Sequence, residues 1–417
     1  MTGLKKFLSK KINSKFEKIL REKSFPKKNI SLFQKKIIQW SIKKRLKNEN
    51  WDQQIQSPVS QFTHPESRNI LKEIISYNPN NLGNWSLEKP FHLSGLLEKK
   101  TIQYISNLLN SQNSKTGGYL TSGGTEANIF SMWLGRNFLK RKTDVRKMTV
   151  IKTGLTHYSI AKAADVTNID IVDTSISSKN WGMDPIFFKE TIKKEYKKGK
   201  RGFLIPLTIG YTITGSDDPI EEIDKAISEL KKELRGADFF CWIDAAFSGI
   251  IKPFIEPKFS PFKYKNVSAF LTDFHKFPAI PYPSGIILYR NSLIKNIEKE
   301  VSYIGRKDTT LLGSRSGISA ITTWYCLKTI NKNGFKKLIQ KSLKDKREFI
   351  NKIKNKSPKI KIITNENSVQ AGIYTNNKKE EKLLKKMKLE PAIENIILDG
   401  KRKKITIYKL FFLPFFK

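Results

Sequence analysis

From residue 149 to residue 289, short apolar runs alternate with segments whose apolar positions recur at helical spacing. The runs at 149–152, 170–172 and 203–209, two ending abruptly at Asp244 and Asp273, and one at 285–289 predict strands. Between them the spacing predicts helices from Ser159, over 184–197 and over 219–234. This order predicts a mostly parallel sheet covered by helices on both faces. Upstream, 91–109 and 129–141 have helical patterns; beyond about 335 a Lys-rich helix mixes with strands near 360–363 and 405–413. The expected organisation is a segment 1–56, a large domain 57–334 and a smaller C-terminal domain 335–417.

The first segment carries a helical stripe at Leu4, Phe7, Leu8, Ile12, Phe16, Ile19 and Leu20, with basic residues between. Such a helix packs on a partner subunit or lies on a membrane surface; packing is the preferred reading, because ordinary surface helices have the same pattern. Across 417 residues there are 78 Lys and Arg against 38 Asp and Glu, a formal charge of +40. The excess is spread over the chain, Lys far outnumbers Arg, and no nucleic-acid module is recognisable, so a specific nucleic-acid partner is not expected. Two cysteines, Cys241 and Cys326, exclude a disulfide scaffold and a cysteine-rich metal site. Without a signal-peptide core or a run long enough to span a bilayer, a cytoplasmic protein is expected.

The chemistry concentrates where strands end. Leu271-Thr272-Asp273-Phe274-His275-Lys276-Phe277 and Trp242-Ile243-Asp244-Ala245-Ala246 each run from apolar to polar at a sheet edge, the edge where α/β proteins bind ligands. A lysine leaving a hydrophobic strand is a candidate nucleophilic amine, and a buried Asp beside it can hold a proton on a pyridine nitrogen. Either residue alone is more often a surface charge or a turn; their order with other motifs decides. Thr121-Ser122-Gly123-Gly124-Thr125-Glu126-Ala127-Asn128 opens a helix, and its glycines and free N–H groups suit a phosphate. A plain helix start capped by Thr125 is the competing reading. His157, in Thr156-His157-Tyr158-Ser159, follows a strand and can stack on a flat ring; Thr212 lies in a polar loop, 210–219. Pro278, Pro281 and Pro283 stiffen the segment after Lys276, and the turn 308–317 is a further anion-site candidate. The loop 78–85, dense in turn formers, makes Asn84 and Trp85 candidates for substrate contact.

With these motifs in this order from residue 78 to 327, the sequence resembles the group II pyridoxal phosphate-dependent amino acid decarboxylases. The similarity is to their short bacterial, plant and archaeal members, which act on histidine, serine, tyrosine or aspartate. The resemblance implies an α/β fold of PLP-dependent transferase type I, aspartate aminotransferase-like, with a mostly parallel seven-stranded sheet and a smaller C-terminal α/β domain. It also implies pyridoxal 5'-phosphate and a homodimer with shared active sites. Under it, Lys276 is the Schiff-base lysine preceded by His275, Asp244 the partner of the pyridine nitrogen, and Ala246 the small residue under the ring. His157 stacks opposite, Ser122, Gly124 and Thr125 cradle the phosphate, Thr212 is the second Thr of a Gly-Thr-Thr motif, and Ser314 is a phosphate contact from the neighbouring subunit.

Three departures stand out. Tyr211 replaces the first Thr of that motif, Asp273 stands where some relatives have Asn or Ser, and Ser316-Gly317-Ile318 follows Arg315 in place of Asn-Gly-His. The segment 306–310 has no Tyr where longer relatives carry a mobile loop. The expected function is removal of the α-carboxylate of an L-amino acid as carbon dioxide. The alternatives are a carbon-carbon lyase of the sphingosine phosphate lyase type and a non-catalytic protein with a relic cofactor site.

Overall fold

The computed structural model describes residues 12, 14–21, 31–48, 55–60, 62–81, 92–302 and 306–415, and the chain divides into two compact units, Met1–Gln53 and Gln54–Lys417. In the first, a helix over 14–20 and the helix Leu32–Asn48 bury Phe16 and Ile37. The Arg45 guanidinium lies 4.8 Å from the Phe16 ring centre and pairs with Glu17. Leu32, Phe33, Trp40 and Leu46 are exposed. Of the predicted stripe, Leu4, Phe7 and Leu8 lie outside the described residues.

The second unit is built on a seven-stranded sheet. Its strands are β1 (Thr116–Thr121), β2 (Met148–Thr153), β3 (Asp170–Thr174), β4 (Gly202–Thr208), β5 (Asp238–Asp244), β6 (Val267–Asp273) and β7 (Gly285–Arg290). Their spatial order is β1-β7-β6-β5-β4-β2-β3. Strands β2 to β6 are mutually parallel, and β7 runs antiparallel to both β6 and β1. Strands β4 and β5 are nearly continuous apolar runs because they are covered on both faces. Phe203, Ile205, Cys241 and Ile243 pack into one core, while Leu204, Phe240 and Trp242 pack into the other.

The longer helices are α1 (Pro65–Ile74), α2 (His92–Leu108), α3 (Gly124–Leu139), α4 (Ser159–Thr167), α5 (Pro185–Lys197), α6 (Ile220–Glu233), α7 (Gly317–Lys356) and α8 (Lys378–Lys386). Helix α5 starts where the Asp184 carboxylate accepts from Ile186 and Phe187 N–H and Pro185 fills the first turn. Helix α6 buries Ile220, Ile223, Ala226, Ile227 and Leu230, the stripe its spacing predicts. It shares a core with α5, whereas α3 and α4 cover the opposite face. Helix α7 is broken at Asn331 (φ 53°, ψ 178°).

Beyond it lies an antiparallel sheet of β8 (Lys361–Ile363), β9 (Gln370–Tyr374), β10 (Ala392–Leu398) and β11 (Lys401–Phe411), in the order β8-β9-β11-β10. The predicted elements between 149 and 289 recur within a residue or two, but α3 begins at Gly124 and not at 129, α7 at Gly317 and not near 335, and the last strand begins earlier and ends sooner than 405–413. The pattern missed α1, β1, β9, β10 and α8. Strand β1 was hidden because Gly117 and Gly118 resemble a turn. Their role is close approach: a Cβ on Gly118 would come 2.4 Å from the Ile287 carbonyl oxygen of β7.

Candidate active site

Strands β2, β4, β5 and β6 point their C-terminal ends at one cavity of about 780 Å3. The loops leaving them supply His157, Thr212, Asp244, Ala246, His275 and Lys276, and the start of α3 supplies Ser122, Gly124 and Thr125. Nine residues singled out in the sequence thus share one cavity.

Lys276 sits on a turn immediately after β6. Phe274 and His275 N–H both donate to the Ser284 carbonyl, at 3.0 and 3.2 Å, and Ile280 N–H donates to the Phe274 carbonyl at 3.0 Å. The segment 274–284 is closed on itself, with cis peptides at Phe277–Pro278 and Tyr282–Pro283. The Lys276 amine lies 3.4 Å from Asp273 Oδ2 and 4.1 Å from the centre of the Phe247 ring. Asp273 is buried, and its Oδ1 has no partner among the described residues.

The N-cap of α3 is Gly123, which brings no side chain to the helix end, so the Thr125 cap does not form. Gly123 has φ 152°, and a Cβ there would sit 2.9 Å from His275 Cε1. Ser122 N–H is taken by Glu126 Oε2 at 2.7 Å. The imidazole of His275 donates through Nδ1 to the Ser284 carbonyl at 2.9 Å and stacks on Tyr282 at 3.9 Å. Burial pushes His275 below the ordinary histidine value, against the pull of Asp273.

Asp244 is buried at the end of β5; its Oδ1 accepts from Ala246 N–H at 3.1 Å and its Oδ2 from the Asn128 amide at 2.7 Å. Asn128 lies on α3, one turn past the glycines, and its Oδ1 accepts from Trp242 Nε1 at 3.0 Å. Its amide nitrogen also reaches Ser159 Oγ at 2.9 Å, and Ser159 Oγ is 2.8 Å from Nδ1 of His157. Burial lowers the His157 value from that of a free histidine, and Asp244 opposes this.

The Tyr211 substitution is explained by its partners. Its ring is wholly buried, and its hydroxyl lies 2.8 Å from Asp218 Oδ1 and 2.9 Å from Thr153 Oγ1. Sequence reasoning overlooked Asn128 as anything but part of a helix start. It also overlooked Glu394 and Lys409, which line the cavity from β10 and β11; only a buried polar position one turn into α3 hinted at the first. Ser314 is exposed, accepts from Asn80 Nδ2 at 3.1 Å and does not line this chain's cavity. Arg315 beside it is paired with Glu98, Nη2 to Oε2 at 3.1 Å, and tethers the turn to β1 through the Leu120 carbonyl at 3.0 Å. Asn84 and Trp85 lie outside the described residues.

These residues fit pyridoxal phosphate: an uncapped helix start for an anion, a buried carboxylate for a ring nitrogen and an amine for an aldehyde. The comparisons agree. Residues 49–372 match the model of the pyridoxal-dependent decarboxylase conserved domain. The tryptophan decarboxylase of Clostridium sporogenes is 34% identical over 276 residues, 63% of this chain; the match spans just under two thirds of that protein, 64%. The histidine decarboxylase of Vibrio anguillarum is 29% identical over 272 residues, 64% of this chain and 67% of that one. The L-methionine decarboxylase structure from Streptomyces sp.590 superposes with a TM-score of 0.78, covering 94% of this chain and 95% of that one at 16% identity, and shares the fold. With its seven-stranded sheet, its lysine turn and this match over most of its length, the chain belongs to the pyridoxal-dependent decarboxylase family.

Proposed function

We propose that this chain removes the α-carboxylate of an L-amino acid, giving the amine and carbon dioxide. The observation that carries the reading is the meeting of Lys276, Asp244, His157 and the uncapped start of α3 in one cavity. Ser122, Gly124, Thr125 and His275 would hold the cofactor phosphate, Asp244 its ring nitrogen, Ala246 and His157 its two faces, with Thr212 at the rim and Lys276 at its aldehyde carbon. When bound, pyridoxal phosphate supplies the electron sink for the pair left at Cα as carbon dioxide departs. Asp244 keeps a proton on the ring nitrogen, held in orientation by Asn128 and its own Ala246 N–H. Lys276 would hold the cofactor's aldehyde carbon through its amine, the group that a substrate amine would displace. His157 covers the ring and delivers a proton towards Cα. Phe247, Tyr211 and Ile213 supply apolar wall that limits water.

Histidine, serine, tyrosine and aspartate are the substrate candidates, and likeness to a tryptophan decarboxylase adds a larger aromatic one. Lys409, which lines the cavity from β11, is our candidate for holding a substrate carboxylate. A homodimer completing the sites with Ser314 belongs to the same reading, supported by the exposed Leu32, Phe33, Trp40 and Leu46 of the N-terminal unit. So does a division at about residue 334, supported by the break at Asn331 and the separate antiparallel sheet. Two free, buried cysteines suit a reducing cytoplasm, and among the described residues no helix is long and apolar enough to cross a membrane.

The test is an absorbance spectrum with added pyridoxal phosphate, then a carbon dioxide release screen over the common L-amino acids. A visible band that is lost in Lys276→Ala, with carbon dioxide from one amino acid, is the expected result. Aldehyde release without carbon dioxide would replace the reading with a carbon-carbon lyase, and no band would leave a relic site.

A further inference from the structure

The hydrogen bonds around Asn128 have a fixed direction. The Trp242 indole is a donor only, so the atom of Asn128 facing it at 3.0 Å is the amide oxygen. The amide nitrogen then faces two acceptors, Asp244 Oδ2 at 2.7 Å and Ser159 Oγ at 2.9 Å, and has one hydrogen for each. Because Ser159 Oγ receives one of them, its own hydrogen is free to point at Nδ1 of His157, 2.8 Å away. The Ser159 backbone N–H is also directed at Nδ1, at 3.3 Å. Nδ1 is therefore approached by two donors and has to be the bare nitrogen of the ring. Asn128 and Ser159 are wholly buried, so water does not compete for these bonds.

We propose that Asn128 and Ser159 are positioning residues, which together hold His157 as its Nε2–H tautomer and orient the Asp244 carboxylate. A single amide thus couples the group above the cofactor ring to the group at its nitrogen. The His157 proton is held on the nitrogen remote from Ser159, available to the reacting face, while Asp244 Oδ1, which accepts the Ala246 N–H, keeps a second lone pair for the ring nitrogen. The functional meaning rests on the decarboxylase reading, but the tautomer and the relay are properties of the cofactor-free chain. Asn128 lies on the helix whose first turn is the candidate phosphate site, so one element sets both ends of the cofactor.

The test is nitrogen NMR of the histidine rings in the full chain without cofactor, at about pH 7.5; with four histidines His157 is assigned by loss of its signal in His157→Gln. The expected result is a protonated Nε2 and a bare, hydrogen-bonded Nδ1. A proton on Nδ1 in the wild-type protein overturns the proposal without any variant being made. In Ser159→Ala an Nδ1–H fraction should appear, and Ser159→Thr should suppress it again. In Asn128→Leu, where no contact of His157 itself is touched, the same fraction should appear, and affinity for pyridoxal phosphate should fall about tenfold through loss of the bond to Asp244. Ser159→Ala and Asn128→Leu proteins that both keep the wild-type tautomer overturn the relay. If the tautomer is as expected but no amino acid releases carbon dioxide, the decarboxylase reading fails and the relay stands.

Discussion

The Tyr211 hydroxyl donates to Asp218 at 2.8 and 3.0 Å to its two carboxylate oxygens, inside a site closed to solvent. Asp218 also accepts from Met183 N–H and Thr208 N–H, both at 2.7 Å, and burial pushes its carboxyl up to about 6. Tyr211 thus pins the loop before α6 to the end of β2 through Thr153, while Asp218 ties the same loop to the end of β4; the Thr of the resembled motif is too short to make the first of these ties.

Removing only the hydroxyl, in Tyr211→Phe, leaves a buried carboxylate short of a donor and should cost about 1–3 kcal/mol. Tyr211→Thr restores the family residue but opens a cavity and should cost more, about 3–5 kcal/mol. Urea unfolding of the cofactor-free protein measures both; a Thr variant as stable as wild type would show that the loop repacks.

Lys409 and Glu394 face the cavity from the inward side of the C-terminal sheet, and neither side chain has a hydrogen-bonded partner among the described residues. Burial pushes Glu394 up, with Lys409 opposing. If Lys409 takes a substrate carboxylate, Lys409→Met should raise KM about tenfold, the worth of one charge-assisted hydrogen bond, and leave kcat within about threefold. Steady-state kinetics on the amino acid found in the screen reads this directly. A fall in kcat with unchanged KM would assign the lysine to another role.

The Glu98–Arg315 pair is buried on both sides, with side-chain exposures of 3% and 5%. Removing one partner strands the other charge, so Arg315→Met should destabilise by roughly 3–5 kcal/mol, and Glu98→Gln combined with it should recover part of that. Denaturant midpoints of the two variants give the answer. A double variant no better than the single one would mean that Arg315 acts mainly through its bond to the Leu120 carbonyl.

Burial lowers His64, His157 and His275 below the ordinary value of 6.5. As pH falls through about 6.5, the unfolded chain takes up protons that these folded sites refuse, so stability is lost on acidification. Asp218 acts in the opposite sense, since its folded value of about 6 exceeds the usual 3.8: its contribution declines as pH rises between those values. The histidine effect is therefore cleanest between about pH 6 and 7. Melting temperatures of the cofactor-free protein should fall across that interval, and less steeply in His275→Gln. An unchanged slope would mean that His275 takes up protons equally in the folded and the unfolded chain.

Much of this was legible in the sequence because it is local. Strand ends at Asp244 and Asp273 are visible as apolar runs that stop, and a helix opening on Gly123 and Gly124 is visible as glycines followed by helical spacing. The order of those signals along the chain gave the parallel sheet and the family. Strand β1 was not legible, since its glycines serve packing against β7, which is distant in sequence. Strand β10 was not either, as its exposed outer face weakens the apolar signal.

What the sequence by itself determined is which residue types stand at each strand end, because periodicity and turn chemistry are written into neighbouring positions. The tertiary structure alone decided what those residues bond to. Asn128 and Asp244 are 116 positions apart, and Tyr211 and Gln370 are 159 apart. No local pattern encodes such pairings: they form when the sheet brings distant loops to one edge, and burial then requires each polar group to find a partner.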